Sequence, residues 1–212
     1  FFKMNGGIAG SASLNRIVVN NQSEFNGGLL EAQEVQLQSD ISGSQLNAKG
    51  SLTNAAYISD ETNLNIDGDL SLCRASNQNG VCASTNAMLN VKDLETNGGT
   101  AYFDRGGILS AGTTITNNST WEVNSANIDA PDATVTNNGL INGGLTISTE
   151  QSVTNNGTMT IGSQNLRLDA LNNTSNFGNM VIGVGGQINI ERGSLINNGQ
   201  ITLNNSIING QG

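Results

Sequence analysis

The groups able to do chemistry in this chain are scattered carboxylates, two cysteines and a large supply of asparagine amides. Carboxylates paired across a groove cleave glycosidic bonds, so the acids come first. They fall at Asp60-Glu61, Asp67-Gly-Asp69, Asp93, Glu95, Asp104, Asp129 and Asp132, with no recurrent spacing. Asp67-Gly-Asp69 has a faint calcium-loop character, yet Gly143-Gly144 and Gly185-Gly186 run on into Leu and Gln and not into the calcium nonapeptide. Turn aspartates are the simpler reading. Asp104-Arg105 beside Tyr102-Phe103 is the one spot where charge meets aromatics, and it reads as a surface turn ahead of a cleft. The chain has no histidine, which removes Ser-His-Asp and Cys-His arrangements. No catalytic, cofactor-binding or metal residue is assigned, and the expectation is that the chain is not an enzyme.

Cys73 and Cys82 are the only cysteines. They bracket a polar stretch, Arg-Ala-Ser-Asn-Gln-Asn-Gly-Val, that fits a disulfide-closed excursion over 73–82; a free thiol pair is the alternative. A ring of that size contributes roughly 2.5–3 kcal/mol by loop-closure entropy. Such a pairing belongs in an oxidising compartment or outside the cell. Two cysteines in a chain without histidine cannot fill a zinc shell.

The asparagines point to the elements that carry everything else. A short phrase returns as Ile115-Thr-Asn-Asn-Ser, Val135-Thr-Asn-Asn-Gly, Val153-Thr-Asn-Asn-Gly, Leu171-Asn-Asn-Thr and Leu195-Ile-Asn-Asn-Gly, at steps of 20, 18, 18 and 24 residues. Periods of this size mark stacked coils. Weaker anchors continue upstream at Ile17, Val35, Leu52, Leu70 and Leu94; Leu52-Thr-Asn-Ala-Ala is a degraded copy, and Leu94-Glu-Thr-Asn-Gly-Gly is slipped by one residue. Between anchors the pattern alternates, as in Leu145-Thr-Ile147, Met159-Thr-Ile161, Leu166-Arg-Leu168 and Ile188-Asn-Ile190. Period two puts alternate side chains on opposite faces of a strand. Asn-Gly and Gly-Gly pairs between the triplets supply turns.

The fold expected is all-β, a parallel β-helix of about ten coils with roughly 20 residues each, occupying 1–212 as a single segment. A hairpin-built sandwich is the rival. Head-to-tail recurrence of like phrases and an aromatic content of 4 % weigh against it. Stacking then places Asn54, Asn117, Asn137, Asn155, Asn173 and Asn197 at equivalent positions, where each amide donates to one neighbour and accepts from the other. Asn and the following Gly also suit the left-handed backbone of a sharp bend. The outer Asn of each pair could instead serve as a sugar ligand. Trp121 and Tyr57 read as corner packing, and Thr158-Met-Thr160 as an isolated Thr-x-Thr pair not repeated from coil to coil.

Composition narrows the partners. A net charge of −9 with only eight Lys and Arg argues against nucleic acid and anionic lipid. No apolar run reaches the roughly 18 residues of a membrane-spanning helix. Phe1-Phe2-Lys3-Met4 is not a signal peptide and Ile208-Asn-Gly-Gln-Gly212 is not a cap, so the expectation is a piece of a longer rod.

Val135-Thr-Asn-Asn-Gly-Leu-Ile-Asn-Gly-Gly-Leu-Thr-Ile147 and Val153-Thr-Asn-Asn-Gly-Thr-Met-Thr-Ile-Gly162 resemble the haemagglutinin-type repeats of filamentous-haemagglutinin-like exoproteins. These large bacterial proteins leave by two-partner secretion and include adhesins and contact-dependent growth-inhibition effectors. The likeness is good from about 94 to 205 and loose before that. The secretion domain of the family carries Asn-Pro-Asn motifs; this chain has one proline, Pro131, and no such motif, so it would be an internal segment. The resemblance implies a right-handed β-helix, secreted or on the bacterial surface, exported through an outer-membrane transporter. Its role would be a structural and adhesive rod that meets a receptor or glycan on a host or neighbouring bacterium. The alternative is a glycan-binding or glycan-cleaving β-helix of the tailspike or lyase type.

Overall fold

The computed structural model describes residues 2–4, 7–11, 13–19, 23–37, 41–54, 58–66, 70–72, 88–103 and 108–210, with side chains continuous from 113 to 210 and at shorter stretches upstream. Among these residues the structure is all-β, without helix, and every strand pairing is parallel. The chain winds as a β-solenoid. Each coil contributes three strand runs, which stack on their counterparts in the coils before and after and so form three faces.

One coil shows why. Thr134–Asn137 forms the first face, bends at Asn138-Gly139, and re-enters as Leu140–Thr149, which serves two faces. That long strand turns between Gly144 and Leu145, where its register against the previous coil shifts and Ser125 is the surplus residue at φ 60. Gly143 sits at φ +117, a conformation that L side chains avoid, and so sets the bend. The next coil repeats the plan with Val153–Asn155, Thr158–Ile161 and the first half of Asn165–Asn176.

Alternation delivers one apolar set to the interior. Ile115, Val135 and Val153 line the first face, Trp121, Ile141, Met159 and Met180 the second, and Leu145, Ile147, Leu166, Leu168, Ile188 and Ile190 the third; all are buried. Like residues stack because the register is parallel: Val135 lies over Val153, Met159 over Met180, and Leu166 over Ile188. Each coil therefore buries its own apolar residues against its neighbours, as a solenoid must.

Downstream of residue 88 the solenoid has about six turns of about 21 residues. The repeat spacing predicts about ten coils of roughly 20 residues over the whole chain. Upstream, backbone register carries the same stacking through Leu30, Leu46, Leu64 and Leu94 on the first face and Ile17, Val35, Leu52, Leu70 and Ala101 on the second. Ile17, Val35, Leu52 and Leu70 are thus levels of the second face, whereas Leu94 and Ile115 belong to the first. The step from Leu64 to Leu94 is 30 residues, and its surplus falls on 73–87. That stretch, with Cys73, Cys82 and the expected excursion at 73–82, lies outside the described residues, as do Tyr57, Asp67, Asp69, Asp104 and Arg105.

Asn97-Gly98 keeps the expected left-handed backbone, at φ +73, but four later corner glycines have a different cause. Gly139, Gly157, Gly178 and Gly199 are not among the positive-φ residues. A Cβ on Gly157 would stand 2.1 Å from Gly139 O, and one on Gly178 would stand 2.0 Å from Gly157 O. The glycine is required because backbone of one coil lies directly on backbone of the next. Gly157→Ala is accordingly expected to lower the urea midpoint by the equivalent of about 2 kcal/mol or more. Gly162, with nothing within 4 Å of its would-be Cβ, should accept alanine within about 0.5 kcal/mol. Equal midpoints for the two variants would refute the close-approach explanation.

Candidate functional site

The feature with most internal organisation is the corner between the first and second faces. There Asn117 Nδ2 donates to Asn137 Oδ1, Asn137 to Asn155, Asn155 to Asn176 and Asn176 to Asn197, each at 2.7 Å. Asn117, Asn137, Asn155 and Asn176 are at most 1 % exposed. The second N–H of each amide reaches the backbone of the next coil: Asn117 to Leu140 O at 3.1 Å, Asn137 to Thr158 O at 3.2 Å, Asn155 to Asn179 O at 3.1 Å and Asn176 to Gln200 O at 3.2 Å. One side chain thus ties its own corner to the next corner twice.

The ladder has a built end. In the coil before Asn117 the equivalent position is Thr96, whose hydroxyl lies 3.1 Å from Asn117 Oδ1 as donor. Ser119 N–H donates to the same oxygen at 2.9 Å, and Trp121 Nε1 donates to Thr96 Oγ1 at 2.8 Å. Trp121 is 1 % exposed, so its indole fills the second face while its N–H serves the corner. Further upstream the same position holds Ile66, Ala48 and Ala32.

Two of the six asparagines expected in the ladder do not belong to it. Asn173 is exposed on the first face and in register with Ser194, while the amide between Asn155 and Asn197 is Asn176. The true repeat there is Thr174-Ser-Asn-Phe-Gly178, and the neighbouring Leu171-Asn-Asn-Thr is a decoy. Asn54 falls on the second face, in register with Leu37 and Leu72, not with Asn117; its side chain lies outside the described residues. Leu94 is not slipped: it pairs with Ile115, and Thr96 takes the inner position. Even steps would have exposed the decoy, since Val153 to Thr174 and Thr174 to Leu195 are both 21 residues.

The outer asparagines form a second, exposed ladder. Asn118 Nδ2 donates to Asn97 Oδ1 at 2.9 Å and to Glu95 at 3.0 Å; Asn138 donates to Asn118 at 2.8 Å, and Asn156 to Asn138 at 2.9 Å. The row breaks at Phe177, 55 % exposed. These amides spend part of their hydrogen-bonding capacity on each other. Beside them Thr116, Thr136, Thr154 and Ser175 stack outward on the first face, a hydroxyl row legible in the residue after each anchor.

The third face carries charge. Asn127, Thr146, Arg167 and Asn189 make one outward row, and Asp129, Ser148 and Asp169 make the next. Asp169 pairs with Arg192, and Arg167 lies 3.4 Å from Glu191. Shallow depressions run along these rows, one between Ser125, Gly144 and Gln164 and one beside Asp129, Ser148 and Arg167. The described acids are dispersed: Glu95 accepts from Asn118, Glu122 from Asn142 at 2.8 Å, and Asp169 from Arg192. Among the described residues no three of His, Cys, Asp and Glu gather to hold a metal. Chemically, the third face can offer hydrogen bonds and weak charge to an extended ligand. No protein-family model, no curated protein and no solved structure matches the chain.

The ladder assignment can be tested by a pair of alanine variants. Asn176→Ala strands a buried donor on Asn155 and should lower stability by about 2–3 kcal/mol. Asn173→Ala, on the surface, should change it by less than about 0.5 kcal/mol. Urea titration of the two variants reads the difference.

Proposed function

We propose that the chain is a shaft segment of a filamentous-haemagglutinin-like exoprotein, a rod at the bacterial surface that sets distance and offers its sides for adhesion. The observation that carries this reading is the parallel stack over residues 108–210, in which one coil's core and corner amides are completed by the next. Such a body grows by repetition without changing its cross-section, which is what a spacer requires. The phrases that resemble the haemagglutinin-type repeats, beginning at Val135 and Val153, are successive coils in register, so the resemblance and the stacking describe the same residues.

On this reading the inward residues and the inner amides serve only the rod. The outward rows of the third face and the 73–82 segment are the places where a receptor or glycan on a host cell or neighbouring bacterium would be met. Export would pass through an outer-membrane transporter, and the stack would form outside the cell. The interior needs no cofactor to close.

Removal of residues 153–173 joins Ser152 to Thr174 in phase and takes out one coil. The shortened chain should fold, lose about 4.8 Å of length by small-angle scattering, and keep saturable binding to bacterial or epithelial cells. Binding absent from both the full and the shortened chain would end the adhesive reading. Release of sugar from surface polysaccharides would replace it with the glycan-cleaving one.

A further inference from the structure

The solenoid repeats Asn-Gly at its corners, and this dipeptide is chemically labile. The backbone nitrogen of the glycine can attack the asparagine Cγ. A C–N bond then closes a succinimide ring, the Cγ–Nδ2 bond breaks, and the glycine amide proton leaves with the side-chain nitrogen as ammonia. Water opens the ring at either carbonyl, leaving Asp or isoAsp. The reaction needs a glycine N–H that is not already donating and a side-chain amide free to rotate onto it.

The stack denies both at Asn138-Gly139 and Asn156-Gly157 and holds the side-chain amide at three other pairs. Gly139 N–H donates to Asn117 O, Gly157 N–H to Asn137 O and Gly178 N–H to Asn155 O, each at 3.0 Å. Asn138 and Asn156 are held by the outer ladder, at 2.8 and 2.9 Å. The amides of Asn97, Asn142 and Asn209, each also followed by Gly, are hydrogen-bonded to Asn118, Glu122 and Asn189. Asn198 differs on every count. Its equivalent in the preceding coil is Phe177, which offers no amide, so the outer ladder does not reach it from that side. Among the described residues its side chain has no hydrogen bond. Asn198 N–H still donates to Asn176 O at 2.8 Å, but Gly199 N–H, unlike its three counterparts, makes no hydrogen bond among the described residues.

We propose that Asn198-Gly199 is a site of spontaneous deamidation, with water as the only co-reactant, and that the break in the outer ladder at Phe177 is what opens it. The lesion also has a structural reach. Gly199 lies close on the coil below, where an added Cβ would stand 2.1 Å from Gly178 O, and isoAsp lengthens the main chain by one carbon immediately before it. The corner must lift, and a negative charge arrives with it. The chain thus carries a slow, irreversible loosening of one corner while the corners at Asn138 and Asn156 stay locked.

Incubation of the folded chain at neutral pH, followed by tryptic mapping with fragmentation, reads the acid formed at each asparagine. The peptide beginning at Gly193 contains Asn198 and Asn209, which fragmentation separates. Acid at position 198 should accumulate roughly tenfold or more faster than at 138 or 156, because only those two need a local opening first. In urea the three rates should converge. Phe177→Asn restores an amide beneath Asn198 and should slow its conversion severalfold. Rates that agree at all three corners in the folded chain, or a Phe177→Asn rate equal to that of the parent, would overturn the proposal.

Discussion

A buried side-chain amide is tolerable only when its two N–H groups and its oxygen are all taken up, and here the neighbouring coils take them up. From Asn117 to Asn176 each amide spends one donor on the next amide and the other on the next coil's backbone. A register slip by one residue would turn the amide outward and bring a threonine or a second asparagine in. Every such slip leaves several buried polar groups without partners, each costing about 1–3 kcal/mol. The ladder therefore does more than add cohesion. It fixes which residue of one coil may lie on which residue of the next.

That constraint explains the glycine at the corner and the alternation beyond it. With the amides in line, the backbones after them are drawn into contact, and Gly139, Gly157, Gly178 and Gly199 leave room for it. The strand that follows starts at a fixed phase, so Ile141, Met159 and Met180 arrive inward together. Thr174 shows how strongly position outweighs residue type. It stands where other coils have Val or Leu, is buried, and its hydroxyl has no partner, yet the register is kept.

Much of this was legible in the residues. The period, the parallel stacking of like on like, the all-β character and the membership of Asn117, Asn137, Asn155 and Asn197 in one row could be read from spacing alone. The failures have a common physical origin. Leu171-Asn-Asn-Thr and Leu52-Thr-Asn-Ala-Ala match by composition, but composition fixes neither the phase within a face, which Asn173 misses by three residues, nor which of three faces a phrase lies on. Leu52 belongs to the second face, where its stack runs through Leu70 and Ala101 to Trp121. A positive φ at the corners was inferred from Asn-Gly as it behaves in isolated turns. It holds at Gly98 and Gly143, at φ +73 and +117, whereas at Gly139, Gly157 and Gly199 the same dipeptide answers to its neighbour's backbone.

The corner also divides the solenoid into two kinds of coil. At the inner position Ala32, Ala48 and Ile66 precede Thr96, and asparagine follows from Asn117 to Asn197. An apolar corner is satisfied by packing and tolerates many residues, so it leaves a weak imprint on sequence. A polar corner tolerates almost none, because every replacement strands a donor or acceptor in the coils on both sides. The junction between the two needs a residue that can end a hydrogen-bonded chain. Thr96 does so by donating upward to Asn117 while accepting from Trp121, whose ring continues the apolar side. The repeat is therefore sharpest downstream of that junction, where chemistry, not volume, decides which residue is allowed.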